Sequence, residues 1–187
     1  MKFIVIDGLD GAGKDTQARL LKNAFEKEGY EVVLRSHPST DTKYGLKSKE
    51  ALLKKGKINH LKAAVFYGID VISSVNKYFK RKDVDVLIFS RYTIAVVYLP
   101  SYINLLIYKI VCILLPVSEN MFFLDVSPEI SLERLSSRNE QEEMFENKES
   151  LIKARNKSLK VINNWKCINA DKDILTVYNE IKNLIKD

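Results

Sequence analysis

Gly8-Leu9-Asp10-Gly11-Ala12-Gly13-Lys14-Asp15-Thr16 concentrates three of the chain's seven glycines and one lysine in nine residues. Glycines so spaced let successive backbone N–H groups turn inward around an anion, and a helix that follows adds its positive N-terminal end. A lysine closing such a loop reaches the outer phosphates of a nucleoside triphosphate, and the hydroxyl that usually comes next holds magnesium. The pattern G-x-x-x-x-G-K-S/T fails here at its last letter, because Asp15 follows Lys14 and Thr16 comes one residue late. Arginine is the better bidentate phosphate ligand, and the chain has only seven against 23 lysines, so their places count. Arg91 ends an apolar run, where open parallel sheets place their ligands. Arg134 and Arg138 lie four apart on a helix opened by Pro128, and their plainer use is surface pairing with Glu133 or Glu142.

Elements of two kinds must hold these residues. Phe3 to Asp7, Val84 to Phe89 and Met121 to Val126 are short continuous apolar runs, the pattern of strands buried on both faces. Glu31 to Arg35 and, more weakly, Lys166 to Ala170 add two further strands. Between them the period becomes helical: Ala18, Leu21, Ala24 and Phe25 share a face that ends at Gly29. Lys47 to Lys55 and Asn59 to Lys80 read as helices, with Ala63, Phe66, Tyr67, Asp70, Val71 and Ser74 on one face of the second. Ile174, Val177, Tyr178, Ile181, Leu184 and Ile185 form the stripe of a terminal helix. His37 to Gly45, which contains Pro38, reads as a loop, and the polar run Asn139 to Glu149 as a mobile lid. Strands alternating with helices predict a single α/β domain over 1–187, with a five-stranded parallel sheet covered on both faces.

Composition removes several classes. With 46% hydrophobic residues, four prolines and no low-complexity tract, disorder, collagen and repeat architectures are excluded. Two cysteines and two histidines give neither a disulfide framework nor a His-rich metal site, which suits the cytoplasm. Tyr92 to Ser118 carries one charge, Lys109, but Pro100, Ser101 and Asn104 break it into pieces shorter than the roughly 20 residues of a membrane span. No membrane is expected, and Thr93 to Pro116 is expected to serve partly as a homodimer interface. The net charge of +6 is spread along the chain as lysine, so no nucleic acid is expected as a partner.

Taken in order, these motifs resemble the thymidylate kinases, P-loop nucleoside monophosphate kinases, over nearly the whole chain. The family's loop G-x-D-G-x-G-K-S/T-T is matched by Gly8 to Thr16 except at Asp15, and its D-R-Y/H by Ser90-Arg91-Tyr92. Leu124-Asp125-Val126-Ser127-Pro128-Glu129 is similar to the family's L-D-V-x-P-E, with Arg134 and Arg138 after it. Phe145-Glu146 after these arginines and Asn164-Trp165-Lys166 before the last helix complete the likeness. The resemblance implies the P-loop NTPase three-layer sandwich and transfer of the γ-phosphate of ATP to dTMP, with Mg2+, in a homodimer. It implies that Gly8 to Thr16 and Arg134 bind ATP, with Lys14 on the β and γ phosphates and Arg134 near the adenine. By the same likeness Arg91 takes the acceptor phosphate, Asp10 the sugar hydroxyl and Phe66 the base, with Pro38, Asp70 and Tyr98 beside them, while Arg138 closes from a lid of about 136–149. Periodicity by itself would put Phe66 in the core.

The chain departs from the family where chemistry is done. Asp15 replaces the magnesium-binding hydroxyl and Ser90 the carboxylate of D-R-Y/H, which reads as a reciprocal exchange around one metal at Asp15 and Ser90, with Asp15 holding it directly or through water. Asp70 stands where the family has a base-reading arginine, and a carboxylate suits the amino group of cytosine or guanine better than a thymine carbonyl, unless Asp70 faces solvent. Leu99 replaces a tyrosine that Tyr98 can supply by a shift of register, and Met144 replaces a lid arginine. The competing readings are a kinase for a different monophosphate and a nucleotide-binding protein that has lost phosphotransfer.

Overall fold

The structure, a computed structural model, describes residues 1–99, 101–137, 147–162 and 164–186. Its centre is β1 (Lys2–Gly8), in which Phe3 to Asp7 are all buried. Parallel neighbours flank it: β3 (Val86–Ser90), buried at every position, and β4 (Asn120–Asp125). β2 (Val32–Ser36) and β5 (Lys166–Asn169) close the edges, giving the order β2-β3-β1-β4-β5 with every pairing parallel. A strand buried on both faces has no polar side to alternate with, which is why these runs read as continuous apolar stretches. The five predicted strands are present, each displaced by a residue or two.

Topology fixes where a ligand goes. The chain leaves β1 for β2 in one direction and leaves β3 for β4 in the other. Because β1 and β3 are neighbours, the connections that leave their C-terminal ends part there and open a crevice. α1 (Lys14–Lys27) starts directly at the glycine loop and packs against α7 (Ile174–Leu184), which Asp173 caps through Leu175 and Thr176 N–H groups. α2 (Lys43–Leu52) starts earlier than its periodicity suggests, because the Thr42 hydroxyl accepts from Gly45 N–H and caps it. α3 (Lys57–Tyr78) packs along α2 and buries Ala63, Asp70, Val71 and Ser74.

Under the crevice, Phe3, Phe79, Phe89 and Tyr92 meet edge to face at centroid distances of 5.3–5.6 Å. Contacts of this kind add about 0.5–1.5 kcal/mol each beyond burial, so these rings give the site a packed aromatic floor. The apolar segment after it forms a short 3-10 helix (Ile94–Tyr98) and α4 (Ser101–Leu114), then α5 (Pro128–Ser136) follows β4. Among the described residues no helix is long and apolar enough to cross a membrane. One helix escaped the sequence reading: α6 (Lys148–Val161), which buries Leu151, Ala154, Ser158 and Val161 and is capped by Asn147. It takes up the end of the expected lid, and residues 138–146 of that lid lie outside the described residues.

Candidate active site

The glycine loop is built against α5. A Cβ on Gly11, whose φ is +77°, would stand 2.7 Å from the Ser131 carbonyl oxygen, and one on Gly8 would stand 2.5 Å from that of Leu124. Only glycine permits those approaches. Ser131 Oγ donates to the Asp10 carbonyl (2.6 Å) and pins the loop from outside. Inside it, Lys14 is buried, donates to the Leu9 carbonyl (2.5 Å) and lies 3.6 Å from Asp10 Oδ1. Burial lowers the Lys14 pKa and nearby Arg91 lowers it further, while Asp10 acts the other way. Half-buried Arg134 reaches the Gly11 carbonyl at 3.4 Å, so it points at the loop and not toward Glu133.

The tips of β1 and β3 are locked together. Asp7, buried at the end of β1, accepts from the N–H groups of Tyr92 (2.8 Å), Ile94 (3.2 Å) and Gly8 (2.9 Å). Burial raises its pKa against these contacts and the charge of Lys14. The pull on Tyr92 sends its ring into the core, where its hydroxyl donates to the Pro116 carbonyl (3.0 Å), and leaves Arg91 at the turn. Arg91 has φ +62°, a conformation that costs a side-chain-bearing residue on the order of 1 kcal/mol. Its backbone is held there from both ends: its N–H donates to Ile6 O (3.0 Å), and its carbonyl meets buried His37 Nδ1 at 2.9 Å.

From this turn the Arg91 side chain meets Asp15. Arg91 Nη1 donates to Asp15 Oδ2 (2.7 Å), while Asp15 Oδ1 accepts from the hydroxyls of Ser36 (2.6 Å) and Ser90 (2.7 Å). The two positions singled out as exchanged, 15 and 90, are in direct contact. Burial pushes the Asp15 pKa up, but Arg91 and the two hydroxyls outweigh it and hold the carboxyl well below its ordinary range. Burial likewise works against the charge on Arg91, and Asp15 and Asp10 more than restore it. Asp10 Oδ1 lies 3.9 Å from the Arg91 guanidinium as well as near Lys14.

On the acceptor side the structure joins some expected residues and separates others. Tyr98 donates to Asp10 Oδ2 (3.0 Å), and burial followed by the Asp10 charge raises the phenol's pKa well above its ordinary value. The carbonyl of Leu99 accepts from Lys157 Nζ (2.9 Å). Phe66 is not core: it is half-buried, stacked on Tyr44 at 6.4 Å with Lys47 over its face. Pro38, in a cis peptide with His37, is half-buried at the same end of β2. Asp70 requires a correction, since it does not face solvent. It is fully buried, and its oxygens accept from Ser39 N–H (2.7 Å), Ser39 Oγ (2.7 Å) and Thr42 Oγ1 (2.5 Å). Those donors come from the polypeptide, leaving the carboxylate committed to the loop and not aimed at a base.

Arg138, Met144, Phe145 and Glu146 fall outside the described residues, so the expectations placed on them are neither joined to this site nor separated from it. Asp7, Ser36, His37 and Ser131 were not singled out in the sequence. Asp7 and His37 carried a signal, an acid closing an apolar strand and a histidine just after another, but Ser36 and Ser131 are serines among 14 in a polar context.

The family model for thymidylate kinase matches residues 6–181. This chain belongs to the thymidylate kinase family. A probable thymidylate kinase from Thermococcus kodakarensis is 34% identical across 98% of this chain and 97% of its own length. The thymidylate kinase of Buchnera aphidicola is 30% identical across 86% of this chain and 82% of its own. In three dimensions the chain is similar to a thymidylate kinase from Candida albicans, with a TM-score of 0.76 over 98% of this chain and 90% of that one, at 18% identity. The chain is thus a phosphotransferase of the thymidylate kinase family on the P-loop NTPase fold.

A kinase of this family works with magnesium, so the proposed ligands can be tested for fit. Carboxylate and hydroxyl oxygens are the right donors for that hard cation. Asp15 is partly exposed, but both its oxygens are already engaged: Oδ2 is paired with a guanidinium and Oδ1 accepts two hydroxyls. A magnesium ion bound directly there would stand against the fixed positive charge of Arg91. The pair Asp15 and Ser90 therefore does not fit a directly bound ion, and no cluster of three metal-binding side chains of the His, Cys, Asp and Glu kinds occurs among the described residues.

Proposed function

We propose that this chain transfers the γ-phosphoryl group of ATP to the 5′-phosphate of dTMP, giving ADP and dTDP. The observation that carries the reading is the place of Asp10 Oδ1, 3.6 Å from Lys14 and 3.9 Å from Arg91. The cation closing the phosphate loop and the cation at the tip of β3 thus flank one anionic position, as is needed to bring a donor and an acceptor phosphate together. An oxygen of the acceptor phosphate attacks the γ phosphorus, the bond to the bridging oxygen breaks, and ADP leaves with the electron pair. The acceptor is already anionic, so no general base is required, and catalysis consists of alignment and charge neutralisation.

In this reading the loop N–H groups from Gly8 to Thr16 and Lys14 hold the ATP phosphates, magnesium arrives with ATP as part of the donor substrate, and Arg134 lies toward the adenine. Arg91 holds the acceptor phosphate, Asp10 with Tyr98 the sugar, and Phe66 and Pro38 the base, while Arg138 closes from the lid. Loss of an arginine that contacts the transferred group costs on the order of a thousandfold in turnover. The reading of a cytosine or guanine monophosphate as acceptor rested on Asp70, whose oxygens are engaged by Ser39 and Thr42. We place the enzyme in the cytoplasm on its two free thiols, Cys112 and Cys167. We also assign it a homodimer, supported by the exposed Leu106, Ile113 and Leu114 of α4. A monomer by light scattering at micromolar concentration overturns the dimer.

The test of the activity is coupled ADP release with ATP and magnesium against dTMP, dUMP, dCMP, CMP, UMP, dGMP, GMP and AMP. Turnover chiefly with dTMP is expected. Turnover chiefly with another monophosphate overturns the acceptor assignment, and silence with all eight overturns phosphotransfer.

A further inference from the structure

We propose that Asp15 is a positioning residue for Arg91, anchoring one edge of the guanidinium so that its remaining donors face the acceptor phosphate. The proposal deepens the reading above and rests on it for the role of Arg91. Asp15 lies in the first turn of α1, one residue after the phosphate-loop lysine, while Arg91 sits at the tip of β3. Their contact ties the donor-side loop to the acceptor-side arginine through Nη1 at 2.7 Å.

Three observations support an anchor over a metal ligand. Arg91 donates through Nη1 to Asp15 (2.7 Å) and, at longer range, to Ser36 (3.4 Å), while among the described residues Asp10 lies 3.9 Å from Nη2. That leaves donors available for a phosphate. Its backbone is already fixed in a left-handed conformation by Ile6 and His37, so Asp15 settles the remaining freedom of a long side chain. An arginine ordered before the ligand arrives gives up less conformational freedom on binding. Finally, the hydroxyls of Ser36 and Ser90 converge on the opposite oxygen and orient the carboxylate, so Oδ2 is the atom turned to Arg91.

The contact between Asp15 and Ser90 gives the proposal a distinctive consequence. Because Ser90 Oγ lies 2.7 Å from Asp15 Oδ1, a carboxylate at residue 90 would reach the same small space from the β3 side. Ser90→Asp alone sets two carboxylates against each other, whereas Asp15→Ser with Ser90→Asp restores one carboxylate and one hydroxyl. The effects of the two changes must then differ in sign according to background.

The experiment is calorimetric titration of dTMP into the wild type, Asp15→Asn, Asp15→Ser, Ser90→Asp and the double variant, without ATP and with EDTA present. Asp15→Asn preserves volume, and circular dichroism confirms folding of each protein. Asp15→Asn, Asp15→Ser and Ser90→Asp are expected to weaken dTMP binding by about tenfold to a hundredfold, the range of a lost charged hydrogen bond. The double variant is expected within a few-fold of wild type. In steady-state assays Asp15→Asn is expected to raise KM for dTMP and leave KM for ATP nearly unchanged. Unaltered dTMP affinity in EDTA together with a raised magnesium requirement overturns the proposal in favour of a metal role, and additive losses in the double variant overturn it as well. Should the wild type bind another monophosphate instead, that ligand is used for all five proteins. A wrong acceptor then shows in the wild type, and a wrong role for Asp15 shows in the variants.

Discussion

The Asp70 carboxylate on α3 accepts two hydrogen bonds from Ser39, one from its N–H and one from its hydroxyl, each 2.7 Å long. A third comes from Thr42, which also caps α2, so one buried anion organises the passage from β2 into the α2–α3 pair. Asp70→Ala leaves a buried N–H and two hydroxyls without their acceptor and is expected to destabilise the fold by about 3 kcal/mol, measured by urea denaturation. Asp70→Asn, which keeps one acceptor oxygen, is expected to lose less. Its order of preference among monophosphates is expected to match that of the wild type. A changed order would return this carboxylate to the base.

His37 gives the fold a defined acid limb. It is fully buried, and burial pushes its pKa from 6.5 down to about 4. Between those values the unfolded chain takes up a proton that the folded chain refuses, so unfolding becomes more favourable as pH falls. The stability is present in full above pH 6.5 and is lost on the way to pH 4, by up to about 3 kcal/mol. His37→Asn retains a donor at the Nδ1 position and does not titrate, so its urea midpoint is expected to change less between pH 7 and 4.5 than that of the wild type. An identical pH dependence in the two proteins would place the acid limb in other groups.

Lys14 separates stability from function. Its ammonium is buried, and that burial disfavours the charged form despite Asp10 beside it. Lys14→Met replaces a costly buried charge by an apolar chain of similar length, and is expected to leave folding stability within about 1 kcal/mol or to raise it. Turnover is expected to fall on the order of a thousandfold or more, since a phosphate-neutralising cation is lost. Thermal unfolding and ADP release on the same preparation check both halves. Equal loss in both would make Lys14 a structural residue.

What the sequence disclosed, and what it did not, follows from the range of each interaction. Buried strands and the Gly8 to Lys14 loop announce themselves because their cause lies within a few neighbouring residues. Arg91 was legible for the same reason, as a charge closing an apolar run. The pairing of Asp15 with Ser90 was legible through the resemblance, but its contacts with Ser36 and Arg91 were not, for they come from residues 21 and 76 positions away. Asp70 misled because its type was read against a pattern while its donors, Ser39 and Thr42, lay in a stretch taken as plain loop. α6 was missed because its buried residues, Leu151, Ala154, Ser158 and Val161, include only two large apolar side chains in a lysine-rich helix.

That missed helix carries a bidentate ion pair with the strand beside the phosphate loop. Arg155 of α6 donates through Nε (2.7 Å) and Nη2 (2.8 Å) to the two oxygens of Asp125 at the end of β4. Two parallel hydrogen bonds fix the angle between the groups as well as their distance, so α6 is held in register with the sheet. Both side chains are partly solvated, which limits the energy but leaves the geometry specific. A double-mutant cycle with Arg155→Met and Asp125→Asn is expected to give a coupling of about 1 kcal/mol that shrinks in 1 M salt. Lysine at residue 155 conserves charge but not the fork, and Arg155→Lys is expected to recover less than half of that coupling. Full recovery by lysine would mean that charge alone, and not the bidentate geometry, ties α6 to β4.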